Sequence, residues 1–301
     1  MRKLTFVSIV TLALAIVLSA CQGGQPPAAD LLQEIKQRGY ILISTDPNYE
    51  PQSFLNANEQ RLAQTKCPAD ALTANQMQGF DVDVAIEIGK ALGVETCFAT
   101  PDWDMITAGN WANKWDVSVG SMTITVERQK VLNFSVPYYY TPAVVAVRSD
   151  ANFASLEELA GQALCAGTAT TYEAWLNGDM AALGLPESSI YAKAPAGVKV
   201  VTLSTDQECA QAIAAGRTDF VGYVTSATVV DANIAAGMPV KKLGSPVFSE
   251  ELAAAFDKAA KLPTDSLRAE VDKLFQAMHA DGRLSALSIK WFGQDLTQSP
   301  K

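Results

Sequence analysis

Apolar and polar positions follow two rhythms along this chain, short continuous apolar runs and stretches with a helical period, and the two take turns. Tyr40-Ile41-Leu42-Ile43-Ser44 is a run of strand type, and Phe80 to Leu92 sets Phe80, Val84, Ile88 and Leu92 on one slowly drifting helical stripe. Asp81 and Asp83 fall in the first turn, where negative charge suits the positive end of the helix dipole, and Gly93 is placed to stop the helix. Val94 to Phe98 reads as the next strand, Asp206 to Ala215 as a helix ended by Gly216, and Phe220 to Val224 as the strand after it. Alternation of this kind predicts α/β lobes on parallel sheets, whose ligands sit at carboxyl ends of strands and at helix N-termini. No solenoid-type repeat is visible.

The N-terminus follows neither rhythm. Met1-Arg2-Lys3 is basic, and Leu4 to Leu18 is an apolar stretch about as long as a secretory h-region and short for a membrane span. The run Leu18-Ser19-Ala20-Cys21 that closes it resembles a bacterial lipobox, which implies a signal peptide over 1–20 and an acylated Cys21 as mature N-terminus. A transmembrane anchor, or an ordinary signal peptide with a chance cysteine, is the alternative. Residues 21–30, with Gly23-Gly24-Gln25-Pro26-Pro27, read as a flexible tether.

Composition narrows the class. About half of the chain is apolar, enough for a large core, and its 301 residues suggest two domains or lobes. The formal charge of −9 becomes about −11 once Arg2 and Lys3 are removed, which argues against nucleic acid and against a polybasic membrane patch. Cys67, Cys97, Cys165 and Cys209 lack Cys-x-x-Cys spacing, so in an oxidising compartment disulfides are expected, with three possible pairings.

Gly79-Phe80-Asp81-Val82-Asp83-Val84-Ala85, continuing to Ile88, Leu92 and Gly93, resembles a motif of the family 3 solute-binding proteins of polar amino acid ABC transporters. Trp115-Asp116-Val117, Gly120 to Thr125, Glu127-Arg128 and Phe134 to Tyr139 follow in the order of that family's longest block. Asp281-Gly282 with Lys290-Trp291-Phe292-Gly293 is similar to its C-terminal end, so the resemblance runs from about Leu32 to Thr297. It implies an α/β, two-lobed fold of periplasmic-binding-protein type II, with a ligand cleft and crossover segments near Tyr139 to Val147 and Phe248 to Phe256. Residues 31–141 and 254–301 would form lobe 1, and 142–253 lobe 2. Within that division, bridges Cys67 to Cys97 and Cys165 to Cys209 each stay inside one lobe. The implied function is a lipid-anchored, extracytoplasmic binding protein that captures an amino acid or related small carboxylate by lobe closure. A permease is the implied partner, the membrane is reached through the lipid only, and a monomer without cofactor or metal is expected.

The resemblance also implies a site. Arg128 offers a planar fork for a ligand carboxylate, with Ser121 and Thr123 beside it. Gly167 to Glu173 opens a helix on the other lobe, and Thr170 and Thr171 are its expected contacts, although the turn carries an extra residue and both could simply cap the helix. Asp46 and Tyr49 are similar to the first ligand loop, with Gln52 and Ser53 intervening before Phe54, and Trp103 matches another position near the pocket. Thr225 stands where relatives that bind α-amino acids place an aspartate for the ammonium. Either Asp46 or Asp104 compensates, or the ligand is not an ordinary α-amino acid, and Thr225→Asp is expected to improve amino acid binding if the missing acid limits it. Asn56 to Gln78 reads as an insertion, stapled through Cys67.

Catalysis has less support. Some relatives of this fold are periplasmic dehydratases of the cyclohexadienyl type, and a receptor module would share the fold too. The single histidine, His279, falls in a helical segment, and no Ser-His-Asp order, metal cluster or phosphate loop is present in the sequence.

Overall fold

The computed structural model describes residues 29–299; the segment with Cys21 lies outside the described residues. The chain runs α1 (Leu31–Arg38), β1 (Tyr40–Ser44), β2 (Asn48–Tyr49), β3 (Ser53–Leu55), β4 (Leu72–Thr73), β5 (Met77–Gln78), α2 (Phe80–Leu92), β6 (Glu95–Ala99) and α3 (Trp103–Thr107). Next come β7 (Val117–Thr123), α4 (Val126–Val131), β8 (Leu132–Phe134), β9 (Tyr139–Arg148), β10 (Ala163–Gly167), α5 (Thr171–Leu176), α6 (Met180–Leu183) and β11 (Lys199–Leu203). It ends with α7 (Asp206–Ala214), β12 (Gly222–Ser226), α8 (Ala227–Ala235), β13 (Val240–Asp257), α9 (Asp265–Ala280) and α10 (Arg283–Phe292).

Two α/β halves share one continuous sheet. β6, β1 and β7 are parallel neighbours in one half, and β11, β10 and β12 in the other. Between them run β9 and β13, antiparallel to each other, with Glu250 opposite Thr141 and Leu252 opposite Tyr139. The crossover segments expected from the sequence are thus strands of a two-stranded ribbon. Separate cores flank it: Phe80, Val84 and Ile88 pack with Ile41, Ile43, Val117 and Val119 in one half, and Trp175, Leu164, Val224 and Phe248 pack together in the other. Full burial of each such side chain contributes roughly 1.5–3 kcal/mol.

Both disulfides have the expected partners, Cys67 with Cys97 and Cys165 with Cys209. The segment 56–78 carries more structure than an insertion loop would, since β4 pairs with β6 and β5 with β3. Asp81 departs from its expected role. It sits in the first turn of α2 but is fully buried, accepting the hydroxyls of Ser121 (2.6 Å) and Tyr138 (2.7 Å). His279 lies on α9, its Nε2 at 2.9 Å from the carbonyl of Pro137.

The motif that opens α2 has a mechanical reason. Gly79 has φ +131°, and a Cβ there would meet the carbonyl oxygen of Gln52 at 2.2 Å. That close approach lets the N–H groups of Phe80 and Asp81 donate to the carbonyls of Pro51 and Gln52 at 3.1 and 2.8 Å. The start of the helix thereby docks the loop that carries Asp46 and Tyr49.

Candidate functional site

A small cavity lies between the halves, at the carboxyl end of β7 and the starts of α5 and α7. Asp46, Tyr49, Trp103, Ser121, Thr123, Arg128, Thr170 and Thr171 all line it. Thr225 does not. It is fully buried behind the wall, and its hydroxyl donates to Asp206 Oδ2 at 3.1 Å. Asp104 is also absent from the lining, its carboxylate accepting the N–H of Met105 instead.

Arg128 is 7% exposed, and it reaches from one half to the other. One guanidinium nitrogen donates to the carbonyl of Thr123 at 3.0 Å, the other to the carbonyl of Ala169 at 3.1 Å. The Trp103 ring lies 5.3 Å from its Cζ, and the indole N–H donates to the same Ala169 carbonyl at 3.3 Å. Burial lowers the pKa of Arg128 to about 10, a shift opposed by Glu250.

The hydroxyls expected on a ligand are largely engaged already. Thr123 and Thr171 both donate to Glu250 Oε1, at 2.6 and 2.5 Å, and Tyr172 donates to Oε2 at 2.8 Å. Thr170 caps α5, accepting the N–H of Glu173 and donating to the Gly167 carbonyl. Ser121 donates its N–H to Tyr138 Oη and its hydroxyl to Asp81, so it lines the cavity with its polar groups turned into the protein. Tyr49 meets Tyr172 hydroxyl to hydroxyl at 3.2 Å. Gln52, fully buried, crosses to Ser226 (3.2 Å) and Thr228 (2.6 Å), which gives the departure at Gln52-Ser53 a contact between the halves.

Tyr172, Ser204, Thr205, Asp206 and Glu250 complete the polar lining, and sequence reasoning assigned none of them to the site. For Asp206 a signal existed: it opens a helix directly after a parallel strand, the same placement that singled out Thr170 and Thr171. Glu250 sits mid-ribbon, where only the fold brings it beside Arg128. Burial raises all three cavity carboxylates, Asp46 to about 6, Asp206 to about 7, and Glu250 upward against three hydroxyl donors and Arg128. Among the described residues no helix is long and apolar enough to cross a membrane, and no group of His, Cys, Asp and Glu could hold a metal ion.

Residues 41–294 match the model of the bacterial extracellular solute-binding proteins, family 3. The chain is 28% identical over 270 residues to the L-cystine-binding protein TcyJ of Escherichia coli K12, covering 89% of this chain and 88% of that one. Two solved structures share its fold at a TM-score of 0.67 and 27% identity. One is an ancestral arginine-binding protein bound to glutamine, matched over 85% of this chain and 99% of its own. The other is the ancestral amino acid-binding protein AncCDT-1, a precursor of cyclohexadienyl dehydratase, matched over 87% and 99%.

Proposed function

The chain belongs to the bacterial extracellular solute-binding proteins of family 3, and from that premise we propose that it captures an amino acid or related small carboxylate between its lobes and delivers it to an ABC permease. The observation that carries this reading is Arg128, a buried guanidinium on the wall of an interlobe cavity and bonded to both sides of it. A ligand carboxylate seated there would add a charge-assisted pair in a dry site, and would reward the closed arrangement over an open one. The lobes are taken as 31–141 with 254–301, and 142–253, so that β9 and β13 form the hinge.

Capture is favoured over turnover by the state of Glu250. Its two oxygens hold three hydroxyl donors, which fixes it as a structural acceptor and leaves it poorly placed to pass a proton to substrate.

The relatives name the first probes: L-cystine, L-arginine and L-glutamine. A thermal-shift screen over these and the other standard amino acids is expected to find at least one that raises the melting temperature. At one hundred times its Kd a ligand adds about 2.7 kcal/mol, which for a protein of this size is a shift of about 5 °C or more. No shift with any of them, nor with a panel of small organic acids screened alongside, would remove the reading.

Anchoring is a separate claim. Acylation at Cys21 would hold the protein on the outer face of a membrane without a spanning helix. Cys21→Ser is expected to release it into the soluble fraction, or leave it unprocessed, with an unchanged melting temperature. Absence of radiolabelled palmitate from the wild-type protein would end the lipoprotein reading.

A further inference from the structure

Charge in the cavity is unbalanced. Asp46, Asp206 and Glu250 line it against a single lining cation, Arg128, whose pull falls on Glu250. Asp206 is 4% exposed, and the charged groups that bear on it are themselves acidic, Glu250 and Asp46. Its Oδ1 accepts the Gly167 N–H at 2.6 Å and its Oδ2 the Thr225 hydroxyl at 3.1 Å. A carboxylate has about four acceptor sites, so two remain. The hold is geometric as well as electrostatic: a Cβ at Gly167 would lie 2.8 Å from Asp206 Oδ1, so the strand end can come this close only as glycine. A buried carboxylate oriented by two donors on the wall of a cavity, with no basic neighbour among the groups that perturb it, is built for a cation from outside.

We propose that Asp206 takes the ammonium group of the ligand, oriented by Thr225 and Gly167, so that the acid of the site stands at the start of α7 rather than at the end of β12. This rests on the reading of the protein as a binder of amine-bearing solutes. It gives Thr225 a positioning role one bond behind the ligand.

A proton is linked to this role. Burial raises the pKa of Asp206 to about 7, so near neutrality a proton occupies it part of the time. An ammonium favours the anion, and capture therefore expels that proton. Affinity for an amine-bearing ligand rises with pH through 7 and levels off above about 8, by at most about tenfold per unit for one group. The groups that face Asp206 are Asp46 and Tyr49 from the first loop, Tyr172 on α5, Tyr223 on β12 and Glu250 on β13, with Glu208 acting on Asp46 from its own helix. Asp46 and Glu250 titrate too, so the assignment needs a variant.

The test is calorimetric titration between pH 5.5 and 8 with L-cystine, L-arginine and L-glutamine, following the tightest. Its counterpart without amino groups serves as control: 3,3′-dithiodipropionate, 5-guanidinopentanoate or glutaramate. Asp206→Asn is expected to weaken the amino acid on the order of 100-fold and to remove the pH dependence centred near 7, while the control loses nothing. Thr225→Val is expected to weaken it about tenfold and move the pH midpoint upward, since one donor to the anion is gone. A folded Asp206→Asn that binds within threefold of wild type with the same pH profile overturns the inference and leaves the functional reading standing. Should that variant fail to fold, wild-type affinity that stays constant from pH 5.5 to 8 overturns it, and affinity that rises as described, with the Thr225→Val shift, upholds it. If the wild type binds none of these three and no other amino acid in the thermal-shift screen, the ammonium role is overturned, and the functional reading then rests on the small organic acids of that screen.

Discussion

Arg128→Ala is expected to reduce capture of every amino acid that binds the wild type by several hundredfold, and to lower the melting temperature of the empty protein as well. The second half of this expectation comes from the structure. An arginine that faced only ligand could be removed without cost to the empty protein. Here the guanidinium joins Thr123 on one side of the cleft to Ala169 on the other, packs against Trp103, and is the cation beside Glu250. Truncation takes the guanidinium donor from two carbonyls across the cleft and removes the cation that acts on the buried Glu250, a change expected to cost roughly 1–3 kcal/mol. Glu250 would answer by holding its proton to higher pH, so the loss of stability is expected to be larger at pH 8 than at pH 5. Arg128→Lys should restore little, because one ammonium cannot span two carbonyls and present a two-pronged face to a carboxylate. Calorimetric titration and thermal melts at both pH values decide the matter. Wild-type affinity in Arg128→Ala would remove the carboxylate seat from the site.

What could be read in the sequence followed local chemistry. The stripe Phe80, Val84 and Ile88, the stop at Gly93 and the strand Tyr40–Ser44 depend on residues near one another in the chain, and each is present as expected. β12 shows where this fails. An apolar criterion ends the strand at Val224 and begins it at Phe220, whereas the paired strand is Gly222–Ser226. Its last two residues, Thr225 and Ser226, are polar and fully buried because they back the cleft, and hydropathy cannot distinguish such residues from a turn. The same failure hides the carboxylate behind which Thr225 stands. The family resemblance points to an aspartate at position 225, whereas a cavity-lining carboxylate arrives from Asp206 on another element, bonded to Thr225 itself. The expectation for Thr225→Asp reverses accordingly: a second carboxylate would press against Asp206 and weaken both binding and folding. β4 and β5, two residues each, are too short for any period to register, which is why 56–78 reads as an insertion without elements of its own.

Removing the two disulfides one at a time is expected to cost similar stability and different function. The loops they close have sequence separations of 30 and 44 residues, and on the chain-entropy account each contributes about 3.5–4 kcal/mol. Cys67→Ala/Cys97→Ala and Cys165→Ala/Cys209→Ala should therefore each lower the melting temperature on the order of 10 °C. Their positions differ. Cys67–Cys97 ties the 56–78 segment to β6, and neither cysteine lines the cavity. Cys165–Cys209 ties β10 to α7, and the same two elements meet again where the Gly167 N–H donates to Asp206. Without the second bridge the start of α7 is held to β10 by that hydrogen bond and by packing, so the carboxylate loses some of its fixed orientation. Affinity for the amino acid is expected to fall several-fold in Cys165→Ala/Cys209→Ala and to stay at the wild-type level in Cys67→Ala/Cys97→Ala. Titrations run well below both melting temperatures separate the two effects. Equal affinity in both variants would mean that β10 and α7 are held in register by their packing alone, and that the bridge serves stability without serving the site.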